Sequence, residues 1–326
     1  MLGDYASTIR ITTLVILQAC LSCCIAQNGS LENELVRASD AGLALVTIDR
    51  GQETVLKVRY FDKRRETIRL TCCSNPAATE MSSGYVVMVN TDVSRGVLNS
   101  IETILGGGQV VVVNTEGKVI SSSSLKVISS CVAVDAKAKR FAFLGIPSNA
   151  GKMNGHYGIY EADFSGLEPE LLLDFPEGPL PPGPNDPEVA IDWSPDGGQI
   201  VFSSGKGTIY LLDTATHQAR VIAKGWGAHW SPSGSMIAFV SDTNRAVLLD
   251  PKTSSLRPVF ADREMLRRPL LWSPDGHYLL LSERTNPLIW APYRYGRLVV
   301  YRLSDGARSA IDDYGVSRAR AMWIQR

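Results

Sequence analysis

Trp193-Ser194-Pro195-Asp196-Gly197 returns as Trp230-Ser231-Pro232-Ser233-Gly234 and again as Trp272-Ser273-Pro274-Asp275-Gly276. Repetition on this scale points to an array or a closed ring of small sheets, because one such unit cannot bury its own apolar face. A short apolar run leads into the Trp, as in Val189-Ala190-Ile191-Asp192-Trp193. The Ser-Pro-Asp-Gly after it is turn chemistry: Pro presets φ, Asp bonds its own backbone, and Gly takes the positive φ that closes the hairpin. A second strand comes at once, as Gln199-Ile200-Val201-Phe202, then Met236-Ile237-Ala238-Phe239-Val240, then Tyr278-Leu279-Leu280-Leu281. A third ends near an Asp, as in Ile209-Tyr210-Leu211-Leu212-Asp213 and Val247-Leu248-Leu249-Asp250, and a fourth returns through Ala219 to Ala223 or Leu256 to Phe260. Four short strands with turns between them make the blade of a β-propeller.

The same template exposes worn copies. Val132-Ala133-Val134 followed by Phe141-Ala142-Phe143 fits the first two strands, with Val134 where Trp stands elsewhere and Asp135 to Ala138 as the turn; Gly158 to Asp163 supplies the third strand. Val300-Tyr301-Arg302-Leu303-Ser304 fills the third-strand place of the last repeat, Ser304 replacing the Asp. Gly84 to Val89 and Gln109 to Val113 belong to a further unit, whose first strand the pattern does not locate. Ser39-Asp40-Ala41-Gly42 reads as a worn turn ahead of strands at Leu43 to Ile48, Val55 to Phe61 and Glu66 to Thr71, with no first strand before it. Ala319-Arg320-Ala321-Met322-Trp323 is a first strand with no second strand after it. Docked beside Leu43 to Ile48, it closes the ring and leaves no sheet edge open at the join. The sequence therefore predicts an all-β fold: a six-bladed propeller of four-stranded blades, closed by the C-terminal strand joining the N-terminal blade.

The Trp-Ser-Pro-Asp-Gly turns and the Ile-Tyr-x-x-Asp third strand, seen in Ile209 to Asp213, resemble the WD40-like repeats of the TolB-type propellers, most closely from Ala190 to Ser282. The resemblance implies an exported propeller that binds other proteins of the envelope. The chain departs from that pattern ahead of the propeller, where the stretch from Gln27 to Leu35 is too short for a separate α/β domain.

Acidic and basic residues, 33 of each, are interspersed and formal net charge is zero. That balance lacks the basic footprint of nucleic-acid binding and offers no charge block to an anionic membrane. Arg10 precedes the apolar run Ile11 to Leu17, small residues lead to Cys24-Ile25-Ala26, and the chain turns polar at Gln27. This is the order of a secretory signal peptide cleaved after Ala26. Leu17-Gln18-Ala19-Cys20 also reads as a lipobox, which would place a lipid on Cys20. The expected organisation is a signal peptide at 1–26, a linker at 27–35 and the propeller at 36–326, in a periplasmic or secreted monomer that touches the membrane only through a lipid on Cys20. Cys72, Cys73 and Cys131 allow one disulfide with a thiol left over, or three buried thiols. Their spacing is not a zinc signature, and His156, His217, His229 and His277 form no ligand pair, so neither a metal nor a cofactor is expected.

In a four-stranded blade the turns from first to second and third to fourth strand share one face of the disc. The remaining connections lie on the other, and they include the long segments Thr91 to Gly108, Pro147 to His156, Phe175 to Glu188 and Glu283 to Arg297. Phe175 to Pro187 is proline-rich and serves either as a stiff edge or as a spacer. Trp290, Tyr293, Arg294, Tyr295 and Arg297 combine the residue types enriched at interface hot spots and form the candidate binding face, unless Trp290 and Tyr293 tuck under the disc as local core. Trp193, Trp230, Trp272 and Trp323, at one place in successive repeats, are expected to pack between neighbouring sheets with the indole N–H near a turn carbonyl. Asp192 and His229 fall on neighbouring first strands and are the candidate funnel groups. Two functions stay open: a non-catalytic platform for an envelope or secreted protein, and a funnel-site hydrolase or lyase. A fused serine hydrolase is not expected, since no Gly-x-Ser-x-Gly elbow occurs.

Overall fold

The computed structural model describes residues 31–50, 54–70, 76–82, 85–90, 107–135, 137–149, 152–153, 157–166, 168–175, 190–204, 206–259, 265–284, 296–312 and 321–325. The apolar runs form strands that pair antiparallel with their neighbours in the chain, and the result is a nearly all-β fold. The first sheet holds β1 (Leu43–Arg50), β2 (Thr54–Tyr60), β3 (Arg65–Arg69) and the C-terminal β23 (Ala321–Gln325), in the order β23-β1-β2-β3. A second contains β4 (Pro76–Ser82), β5 (Tyr85–Asn90), β6 (Gly107–Asn114), β7 (Val119–Asp135), β8 (Arg140–Asn149), β10 (Gly158–Asp163) and β11 (Glu170–Asp174), with the short β9 (Lys152–Met153) beside β8. The third runs through β12 (Ile191–Trp193), β13 (Gln199–Ser203), β14 (Thr208–Asp213), β15 (Gln218–Trp230), β16 (Ile237–Ser241), β17 (Ala246–Leu249) and β18 (Leu256–Pro258). The fourth comprises β19 (Met265–Trp272), β20 (Tyr278–Arg284), β21 (Gly296–Arg302) and β22 (Arg308–Asp312). β4 is the first strand that the repeat pattern did not locate.

β7 and β15 are long because each serves two units. Gln218 to Lys224 pair with β14 as a fourth strand, and Gly225 to Trp230 pair with β16 as the first strand of the next. Gly225 sits at the handover with φ 150°, and a Cβ there would lie 2.3 Å from the Val240 carbonyl oxygen, so only glycine fits.

Alternation sends the two faces of a strand to different neighbours. On β16, Ile237 and Phe239 pack with Val201 and Leu211 of the preceding unit, while Ala238 and Val240 pack with Leu279 and Leu281 of the following one. Sheets covered on both sides read as near-continuous apolar runs, which is why the second strands of the repeats are so uniformly hydrophobic. The outermost strands β3 and β18 are largely exposed: β3 reads Arg-Glu-Thr-Ile-Arg and β18 ends in Pro258, charges and proline that blunt an open edge.

Residues 31–35, which the sequence reading placed in a linker, stand in a helix. Residues 31–40 form a helix, α1, whose Leu31 and Leu35 are buried with Leu43, Leu45, Trp323, Tyr278, Leu280, Leu298 and Val300, joining the first sheet to the last. The i, i+4 spacing of the two leucines among good helix formers is the local cause. The Glu34 carboxylate accepts hydrogen bonds from the Tyr278 hydroxyl and the Arg302 guanidinium. Burial first, and then Glu34, pushes the Tyr278 hydroxyl well above the usual phenol range. Ser39 and Gly42 keep the expected turn, Gly42 N–H donating to the Ser39 carbonyl at 3.0 Å, but as the end of the helix.

β23 pairs with β1 from Leu43↔Gln325 to Thr47↔Ala321, which sets Trp323 opposite Leu45 in the apolar cluster shared with β20 and β21. Trp323→Ala should therefore cost roughly 3–5 kcal/mol. Deletion of residues 318–326, which also bares β1, should cost at least as much, read as a fall in Tm and in the denaturant midpoint. An unchanged Tm in the truncated chain would remove β23 from the structural account.

Candidate functional site

The pentapeptide turns form the first candidate face, and their polar groups are turned inward. Ser194 Oγ accepts from Gln199 N–H at 2.9 Å and donates to Asp196 Oδ1 at 2.6 Å, while Asp196 also accepts from Gly198 N–H at 3.0 Å. Ser273 and Asp275 repeat this arrangement with Tyr278 and His277. Where Ser233 replaces Asp, Ser231 still accepts from Met236 N–H, at 3.0 Å. The third-strand aspartates do the same work on the other hairpin: Asp213 accepts from Ala215 and Thr216, and Asp250 from Lys252 and Thr253. Asp305, next to Ser304, takes that place in the last repeat, accepting from Ala307 N–H and from the Arg302 guanidinium.

The tryptophans lie between sheets, with one correction. Trp272 Nε1 donates to the His229 carbonyl at 3.2 Å, and Trp323 Nε1 to the Leu271 carbonyl at 3.3 Å. The acceptors are strand carbonyls, not turn carbonyls, and each belongs to the residue just before the Trp of the preceding repeat. The indole N–H groups of Trp193 and Trp230 are buried and make no hydrogen bond among the described residues.

Trp193 instead receives a cation. Arg140 lies 4.3 Å from its ring centroid, is held by Asp135 at 3.0 Å and Glu161 at 2.8 Å, and donates to the Gly197 carbonyl at 2.8 Å. Desolvation alone would lower the Arg140 pKa; the hydrogen bonds to Glu161 and Asp135 outweigh it and hold it above the usual arginine range. Gly197 is favoured by its φ of 73°, and a Cβ there would press at 2.8 Å on the ends of the Arg140 and Asp135 side chains. The repeat that lacks Trp thus reaches the next through an arginine, a tie that no sequence motif announced.

Asp192 on β12 and His229 on β15 are brought together. Asp192 Oδ2 accepts from Trp230 N–H at 2.9 Å and stands 3.5 Å from His229 Nδ1; both side chains are about one-fifth exposed, at 19% and 23%. The carboxylate therefore links adjacent first strands while leaving the imidazole partly open. Trp290, Tyr293, Arg294 and Tyr295 lie outside the described residues, and Arg297 stands on β21 opposite Glu283. Cys131 is buried within β7, whereas Cys72 and Cys73 lie outside the described residues, as does His156. His217 and His277 stand beside Glu170 and Asp275 at 3.7 and 3.4 Å. Among the described residues no three His, Cys, Asp or Glu side chains gather into a metal site.

No protein-family model matches the sequence, and neither does any curated protein. Among solved structures, the chain is similar to one in the crystal structure of a nidogen/laminin complex, with a TM-score of 0.54 and 11% identity over 86% of this chain and 96% of that one. It is also similar to a protein assigned as a 6-phosphogluconolactonase from Bacteroides uniformis (TM-score 0.48, 10% identity, 83% and 82% coverage). A third similar structure is an oligogalacturonate lyase in complex with manganese (TM-score 0.49, 11% identity, 80% and 71% coverage). At these identities the likeness is one of fold, and the fold is a β-propeller.

The turn chemistry carries a pH signature. The Ser194 hydroxyl and then Gly198 N–H hold the Asp196 carboxyl below its usual range, the Thr216 amide and hydroxyl do so for Asp213, and Lys252 N–H does so for Asp250. The Arg302 guanidinium draws Asp305 down to about 2. A carboxyl with a depressed folded pKa contributes stability that is complete above its unfolded value of about 3.9 and is lost as pH falls through the folded value. Tm should therefore fall between about pH 4 and about pH 2. In the combined Asp196→Asn, Asp213→Asn, Asp250→Asn variant it should start lower at neutral pH and fall less, as monitored by circular dichroism.

Proposed function

We propose that this chain is an exported six-bladed propeller of TolB-like, WD40-like repeats that acts as a non-catalytic binding platform for a protein of the cell envelope. The grouping of strands in fours supports the blade count, with β7 and β15 each shared by two blades, and the pairing of β23 with β1 supports closure. The proposed protein is a monomer that needs no cofactor and no nucleic acid. It is carried out of the cytoplasm by residues 1–26 or held by a lipid on Cys20.

One observation carries the platform reading. The serine and aspartate side chains of the turn face bond within their own hairpins, so that face is uniform and offers little to a partner. Long connections, from β5 to β6, β11 to β12 and β20 to β21, depart from the opposite ends of the strands. Elaborated loops on a rigid scaffold are where binding resides. A second reading, a funnel hydrolase or lyase, draws on the approach of His229 to Asp192, since a carboxylate beside one ring nitrogen orients the other.

The mature protein recovered from the envelope should begin at Gln27 or at a lipidated Cys20, as shown by N-terminal sequencing and mass, with Cys20→Ser releasing it from membranes only in the second case. A full-length cytoplasmic product rejects export. Trp290→Ala with Arg294→Ala should reduce capture of envelope proteins at least tenfold, while Ser233→Ala with Lys252→Ala should leave it intact. The reverse pattern in folded variants would place the working face at the turns. Turnover of a small substrate, lost in Asp192→Asn or His229→Ala, would replace the platform by the funnel enzyme.

A further inference from the structure

Five arginines are half-buried among the described residues: Arg59, Arg140, Arg245, Arg302 and Arg308. Four are held within the fold: Arg59 donates to the Ile311 carbonyl, Arg140 pairs with Asp135 and Glu161, Arg302 with Glu34 and Asp305, and Arg308 with Glu283. Arg245 is the exception. Its backbone donates to Ser241 Oγ at 3.2 Å and accepts from Ser241 N–H at 2.8 Å. Its guanidinium meets neither an acceptor nor a carboxylate among the described residues, and Nη1 is buried in that state. A cation with one nitrogen out of water and no counter-charge is costly to keep.

Arg245 stands in the hairpin from β16 to β17, a second-to-third-strand connection and so on the face of the long connections. Alternation along β17 puts it on the side of Val247 and Leu249, which pack toward the preceding unit. The positions on that side are small or apolar: Ile209 belongs to the same cluster, Ala223 stands opposite Ile209, and Gly207 lies two residues before it. Residues 206–257 hold three acids, and none of them answers Arg245. Asp213 and Asp250 stand at the far ends of β14 and β17, where they accept from their own hairpins. Asp242, in the same hairpin as Arg245, is exposed and forms no ion pair among the described residues. Lys224 turns to the other side of its strand and donates to Thr208 Oγ1 at 2.8 Å, whereas Lys206, on the β13–β14 connection, is exposed and adds to the attraction for an anion.

We propose that Arg245 anchors a carboxylate presented by the polypeptide that binds the face of the long connections, either its C-terminus or an acidic side chain. The inference rests on the platform reading and names the chemistry of its partner. The planar fork of a guanidinium matches a carboxylate in shape, and its one positive charge is balanced by one negative charge. Burial of Nη1 strengthens the pair, because the surroundings that make the free cation costly also screen its attraction to an anion less than water does.

The test has two arms, both on the full chain. In the first, protein carrying isotopically labelled arginine is titrated with sodium acetate against sodium chloride at constant ionic strength and followed by NMR. The Arg245 Nε–H resonance, assigned by its loss in Arg245→Gln, should shift saturably, while that of Arg257, exposed on β18, should not. Acetamide, similar in shape and uncharged, should leave both in place. Without acetate, Arg245→Gln should melt at or above the Tm of the parent, because it removes a charge that the fold leaves uncompensated. A lower Tm in that variant, or an Arg245 resonance that acetate does not move, overturns the proposal. The second arm measures capture of envelope proteins. Arg245→Gln should weaken it about tenfold to a hundredfold, the range of a hydrogen bond to a charged group. Arg245→Lys, which keeps the charge and loses the fork, should fall between, and Arg257→Gln should match the parent. Undiminished capture by Arg245→Gln overturns the assignment to the partner, and an acetate response beside it identifies a free carboxylic acid as the ligand instead. If the parent captures nothing, the platform reading falls while the acetate arm still decides whether Arg245 takes a carboxylate, so the two fail separately.

Discussion

No four-stranded unit of this chain can cover both of its own faces. Each second strand is apolar at successive positions, and the side chains that alternate along it must be buried against two different neighbours. A unit with one neighbour would leave half of that surface in water, at about 25 cal/mol for each Å² of apolar area. This requirement explains why the units recur and why α1 and β23 converge on the cluster that joins the first sheet to the last.

The contacts between units are then free to wear, provided that each interface keeps some tie. Trp272 and Trp323 reach back to the carbonyl just before the preceding Trp. Where Val134 occupies the Trp position, Arg140 crosses to the next turn and stacks on Trp193. Asp192 accepts the amide of Trp230 across adjacent first strands. An indole, a guanidinium and a carboxylate thus serve comparable seams, each satisfying a backbone group that the sheets themselves leave over. Asp192 is consequently committed to structure even in a position where chemistry is conceivable.

How much the sequence disclosed depends on how locally each feature is encoded. The pentapeptide confines its chemistry to a few consecutive residues, so turns and the strands around them were legible, as was the nearness of Asp192 to His229. β4 was not, because Pro-Ala-Ala-Thr-Glu-Met-Ser lacks both the Trp and the apolar run that mark other first strands. α1 is only ten residues long beside many strands, and its two leucines read as ordinary loop residues until their burial is known. The Arg140 tie joins positions 57 residues apart, a span that no local pattern covers. The aromatic and arginine group from Trp290 to Tyr295 lies outside the described residues, so its role rests on the sequence.

The pairing of the last strand with the first also orders events in time. A chain made or translocated from its N-terminus delivers β1, β2 and β3 early, with the apolar edge of β1 waiting for a partner nearly three hundred residues away. Contacts of such sequence separation are slow to form and cannot be rehearsed by a fragment. Until Ala321 to Gln325 emerge, the earliest sheet has an uncovered edge that invites pairing with another chain. A chain that lacks this late strand is therefore expected to aggregate more readily than one that carries it.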